Sequence, residues 1–179
     1  MPAVVRSFAG KHPRIGRGVF LAETCAVIGD VEIGEESSVW YSTVLRGDMM
    51  PIRIGARTSM QDGMVVHIAS ERFGTTVGND CTIGHAAILH GCVIEDSCLI
   101  GMGSTILDGA RIGRGSLVGA GALITPGTDI PPGSLVLGAP ARVVRPVNHK
   151  EREQIEYAAA VYIELTRRYL AGDGGSSVG

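Results

Sequence analysis

Along this chain an aliphatic side chain returns every six residues. Ile15, Leu21, Val27, Ile33, Val39 and Leu45 form a first run, Ile54, Met60 and Val66 a second, and Val77, Ile83 and Leu89 a third. Ile94, Ile100, Ile106, Ile112, Val118, Ile124, Ile130 and Val136 complete the series. The next residue is often small, as at Gly34, Gly55, Gly84, Gly101 and Gly119, and the fifth is usually small or β-branched, as at Cys25, Val31, Thr58, Ala87 and Ser116. A helix would need apolar residues at three-and-four spacing, and an isolated strand would alternate briefly and stop. A period of six held over about 120 residues predicts an all-β chain wound as a parallel β-helix, with short strands stacked coil on coil and three hexads to a coil.

The period breaks three times. Nine residues separate Leu45 from Ile54, eleven separate Val66 from Val77, and five separate Leu89 from Ile94. The two long steps predict surface insertions around 49–53 and 69–76, the kind of loop on which sites are built. After Gly138-Ala139-Pro140-Ala141-Arg142 the repeat ends. Asn148 and Glu151 make a capping-box pattern, and Ile155, Ala158, Tyr162, Leu165 and Tyr169 lay an apolar stripe along a C-terminal α-helix. The expected organisation is an N-terminal segment at 1–14, the β-helix at 15–146, the helix at 147–171 and a flexible Gly/Ser-rich tail at 172–179.

Composition narrows the function classes. Aromatic residues are only 4% of the chain, which suits a narrow interior filled by aliphatic side chains. A net charge of −2 gives no support for nucleic-acid binding. The first residues hold no long apolar run, so neither a signal peptide nor a membrane span is expected, and the predicted location is cytoplasmic. Cys25, Cys81, Cys92 and Cys98 form no C-x-x-C pair, and three of them take the small inward position of their hexads; they read as reduced core cysteines.

Counting hexads three to a coil puts Leu45, Val66 and Leu89 on one corner of successive coils, so Arg46, His67 and His90 form a vertical stack. Coils lie about 4.8 Å apart, so two stacked imidazoles can converge on one metal at about 2.0–2.1 Å. His85 lies one face back along the coil, more than about 10 Å away at roughly 3.3 Å per residue, on a corner shared with Gln61 and Asp62. It cannot complete the His67–His90 pair within one chain. A cyclic homotrimer, in which one subunit's His67–His90 corner meets its neighbour's His85 corner, resolves this and would carry Arg46 toward the neighbour's acidic side chains. Three imidazoles leave one tetrahedral position open, as in catalytic zinc sites. His12 and His149 lie outside the hexads and read as surface residues.

Arg46-Gly47-Asp48, Gln61-Asp62, His67, and His85 followed five residues later by His90 resemble the γ-class carbonic anhydrases and their close bacterial relatives, and the likeness covers nearly the whole chain. The resemblance implies a left-handed β-helix trimer with His67, His85 and His90 as metal ligands, Zn2+ as the default ion, and Fe2+ or Co2+ as alternatives. Arg46 and Asp48 match the family's interface-ordering pair. Gln61 matches a residue near the metal-bound water, Asp62 stands beside it, and Tyr162 matches a tyrosine that approaches the site. The implied reaction is reversible hydration of carbon dioxide to bicarbonate by water activated at the metal. The alternatives are an acyltransferase or thioesterase acting on coenzyme A esters, or a non-catalytic metal-binding scaffold. The chain departs from the pattern at Met50, Ser59 and Val161, where relatives often carry Asn, and it lacks the acidic loop after the Arg-Gly-Asp motif. Glu71 is the one nearby carboxylate that could replace that loop, and the departure bears on turnover more than on metal binding.

Overall fold

The computed structural model describes residues 2–68 and 72–172. The chain winds as a parallel β-helix with three faces. The first stacks Val4–Arg6, the start of Ala26–Ile33, the start of Val44–Ile54, Val65–His67, Ile88–His90, Thr105–Ile106 and Leu123–Ile124. The second begins at Arg14–Ile15 and, after the second halves of the two long strands, runs through Thr75–Val77, Val93–Ile94, Arg111–Ile112 and Asp129–Ile130. The third stacks Phe20–Leu21, Ser38–Val39, Ser59–Met60, Thr82–Ile83, Leu99–Ile100, Leu117–Val118 and Ser134–Gly138; Ala141–Pro146 pairs antiparallel with the last of these and closes the stack.

The hexad positions explain the coil. From Val27 to Val136 every leading aliphatic residue is buried in one continuous column of core. Ile15 is exposed and Leu21 half-buried, because the first coil has little beneath it. The glycines that follow sit where neighbouring coils approach most closely. A Cβ on Gly101 would lie 2.4 Å from the Ala120 nitrogen, and one on Gly34 would lie 2.5 Å from the Ala56 nitrogen. All four cysteines are free and buried, and burial pushes the Cys25 thiol up to about 11 and the Cys92 thiol up to about 12.

All three breaks in the period fall on one edge, between the first and second faces. The segment 49–53 is not the loop that the spacing predicted. It lies within the continuous strand Val44–Ile54, which turns the edge alongside Ala26–Ile33, with a register shift between Gly29 and Val31. Two glycines allow that parallel crossing. A Cβ on Gly29 would sit 2.4 Å from the Gly47 carbonyl oxygen, and one on Gly47 would sit 2.7 Å from that of Asp30. The second insertion returns to the sheet at Thr75–Val77.

The helix His149–Leu170 starts at an Asn148 N-cap with both capping-box hydrogen bonds formed. Arg145 grips Glu151 with two further bonds at 2.7 and 2.8 Å, tying the helix start to the last strand. The helix packs on the third face, where Phe20, Ala22 and Trp40 meet Tyr162, Leu165 and Tyr169. Trp40 stands edge-on to Tyr162 at 5.6 Å and to Tyr169 at 5.1 Å. No helix among the described residues is long and apolar enough to cross a membrane. The tail at 173–179 and Glu71 lie outside the described residues.

Candidate metal centre

Strand register builds the first half of the site. His90 pairs with His67 across adjacent coils, and their rings stand 5.8 Å apart between centroids. Arg46 follows Leu45, which pairs with Val66, so the Arg46–His67–His90 stack forms in the expected order. Arg46 donates to Asp48 two residues along the same strand, at 2.5 Å, and Asp48 Oδ1 lies 3.0 Å from His67 Nε2. Arg46 thus takes an acidic partner in its own chain. Burial works to raise the Asp48 carboxyl, but the hydrogen bonds from Arg46 and His67 outweigh it and hold the group below the usual carboxylate range. Gly47 is required between them, because any side chain there would strike the Asp30 backbone.

The second half forms on the edge between the third and first faces. Ile83 pairs with Met60, which sets Gly84 against Gln61 and His85 against Asp62. His85 Nδ1 lies 2.7 Å from Asp62 Oδ2, and Asp62 Oδ1 accepts the Tyr41 backbone N–H at 3.2 Å. Gln61 is buried, and its Oε1 accepts the His85 backbone N–H at 3.1 Å. That bond fixes the amide, leaving its NH2 as the free end. Tyr162 reaches the same edge from the helix; burial first, and then the Asp62 charge, raise its hydroxyl above the ordinary range. It is a protonated donor at neutral pH.

The two halves stand apart within one chain. Among the described residues, no three His, Cys, Asp or Glu side chains gather closely enough to hold a metal ion. His67 is largely covered, with 14% of its side chain exposed, whereas His85 stands at an open edge with 44% exposed. Beside the first half, Val65 and Ile88 stack outward and are each 42% exposed.

One residue of this site escaped the sequence reading. Asp108 Oδ1 contacts His90 Nδ1, so each of the three histidines has its own aspartate. The signal was available: Ile106 pairs with Leu89, which carries Asp108 to the level of Gly91, next to His90.

The donor chemistry suits a metal such as zinc. Each imidazole has one ring nitrogen tied to a carboxylate, Nε2 at His67 and Nδ1 at His85 and His90, and among the described residues its other nitrogen has no side-chain partner. Several known proteins resemble this chain. The family model for the bacterial transferase hexapeptide (six repeats) matches residues 74–107 and 91–126. A carbonic anhydrase of Geobacillus kaustophilus is 41% identical over 168 residues, covering 94% of this chain and 92% of that one. The longer mitochondrial γ carbonic anhydrase 2 of Arabidopsis thaliana is 44% identical over 91 residues; the match takes in 48% of this chain and 33% of the plant protein. Among solved structures, a hexapeptide transferase family protein from Anaplasma phagocytophilum superposes with a TM-score of 0.89 at 39% identity, covering 93% of this chain and 98% of that one. Matched along nearly its whole length to a carbonic anhydrase, and itself carrying the hexapeptide repeat, this chain belongs to the γ-class carbonic anhydrase family.

Proposed function

We propose that the chain forms a homotrimer with one metal ion at each subunit interface, and that this centre reversibly hydrates carbon dioxide to bicarbonate. The ion is held by His67 and His90 of one subunit and His85 of the next. Zinc fits the three neutral imidazoles best, with Fe2+ or Co2+ as alternatives. The observation that carries the reading is the division of three carboxylate-backed histidines between two edges of the β-helix, His67 stacked with His90 on one and His85 on the other.

When bound, the metal supplies Lewis acidity that brings the ionisation of water to about neutral pH. The chain's own residues do the rest. Asp48, Asp62 and Asp108 hold the three rings, and Arg46 holds Asp48. Gln61, with its oxygen committed to the His85 backbone, offers N–H to the reacting water. Tyr162 offers O–H from the helix side. No carboxylate lies in 49–53, so the proton released in each cycle passes to solvent buffer, directly or by way of Glu71.

The alternative reading is acyl transfer or thioester hydrolysis on coenzyme A esters, favoured by the transferase name of the Anaplasma relative. Such chemistry needs one histidine base, and three carboxylate-backed imidazoles exceed that need. A non-catalytic metal-binding scaffold would keep the ion without turnover. Stopped-flow hydration with zinc-loaded and chelator-stripped protein decides: metal-dependent rates that rise with buffer concentration are expected. Equal rates would end the enzymatic claim. Calorimetric binding of acetyl coenzyme A would favour the transferase reading.

A further inference from the structure

We infer that Asp108 is the positioning residue for His90, fixing its Nδ1–H so that Nε2 is presented to the metal; this rests on the metal centre proposed above. The observation is independent of the motifs that suggested the site. Asp108 comes from the coil beyond His90, after the strand Thr105–Ile106, whereas the carboxylates of His67 and His85 lie on coils before them. The three aspartates therefore reach their rings from both sides of the coils they serve.

The backbone around Asp108 is built to hold it there. Leu89 pairs with Ile106, and the Gly109 nitrogen donates to the Gly91 carbonyl at 2.7 Å, locking the two turns that carry His90 and Asp108. The Asp108 carbonyl accepts the Gly127 N–H at 2.8 Å, which anchors the turn to the coil beyond. Phe73, on the return of the second insertion, lies over the same turns. A Cβ on Gly109 would be 3.2 Å from the tip of its ring, and one on Gly91 would be 3.4 Å from the Phe73 Cβ. Phe73 thus packs against the glycines that flank the Asp108–His90 pair. His90 Nδ1 is the only side-chain hydrogen-bond partner of the Asp108 carboxylate among the described residues, so that carboxylate has no competing structural bond to serve.

Carboxylates that hold a ligating histidine typically contribute about 10–100-fold in metal affinity. The test is zinc affinity by chelator competition on the assembled protein, with Asp108→Ala, Asp108→Asn and His90→Ala beside the wild type. The visible spectrum of the cobalt-substituted protein is read in parallel. Expected are a loss of about 10–100-fold in affinity for Asp108→Ala, a smaller loss for Asp108→Asn, which keeps an acceptor, and an altered cobalt spectrum. The melting temperature of the metal-free protein should stay unchanged. Wild-type affinity and spectrum in the Asp108 variants, with binding abolished in His90→Ala, would overturn the inference and leave the metal centre standing. A lowered metal-free melting temperature in the isosteric Asn variant would assign Asp108 to the fold instead. If the wild type binds neither zinc nor cobalt, the metal centre and this inference fail together.

Discussion

Sharing of the centre between subunits has a numerical consequence. In the proposed ring, His67 and His90 come from one edge of a subunit and His85 from a neighbour's other edge. His67→Ala and His85→Ala homotrimers then each lose every site. When the two variants are refolded together at equal ratio, an interface survives wherever an intact His67–His90 pair faces an intact His85. Each condition is met by half the subunits, so roughly one quarter of the interfaces recover. The recovered fraction follows the product of the two variant fractions and falls on either side of the equal mixture. The geometry behind this is the 5.8 Å spacing of the His67 and His90 rings against the separate edge on which His85 pairs with Asp62. Zinc per trimer is measured after gel filtration, with subunit exchange verified by native mass spectrometry on differently tagged chains. If one chain supplied all three ligands, no ratio would restore any metal. Zero recovery in trimers shown to be mixed would refute the reasoning.

Two further predictions concern the scaffold. Gly101→Ala should lower the urea midpoint, at a cost of about 1–3 kcal/mol for overpacking, because the new Cβ meets backbone at 2.4 and 2.6 Å rather than a side chain that can turn aside; an unchanged midpoint would show that the coils have room. Glu151 is held down to about 2, first by Arg145 and then by the Asn148 backbone N–H, from an ordinary value of 4.5. Its folded-state pKa is depressed, so its contribution is complete above pH 4.5 and fades as the pH falls toward 2. Glu151→Gln should therefore remove acid sensitivity in that window, read by far-ultraviolet circular dichroism, and an unchanged acid transition would discount the Arg145–Glu151 clamp.

The coil was legible because its determinants are local and repeated. Each hexad needs one inward aliphatic residue and one position where the next coil leaves no room for a Cβ, and both demands are written in residue type. The helix was legible for the same reason, from a cap and an apolar stripe. The path of 49–53 was not, since a nine-residue step has the same length whether it loops out or continues as strand. What decides is the mutual close approach of Gly29 and Gly47, a contact between coils. Within the site, the His67–His90 stack followed from counting, because parallel register converts sequence period directly into vertical alignment. Asp108 was missed because the counting stopped at the histidines' own hexads. A side chain in a stacked coil meets neighbours both before and after it in sequence, about one coil away in each direction, as Asp48 does for His67 and Asp108 for His90. In a solenoid, then, the partner of a buried or functional group should be sought one coil forward as well as one coil back. The complementary half-site follows a different rule: no intrachain register brings His85 to His67, and in the proposed trimer what joins them is the packing of one subunit against the next.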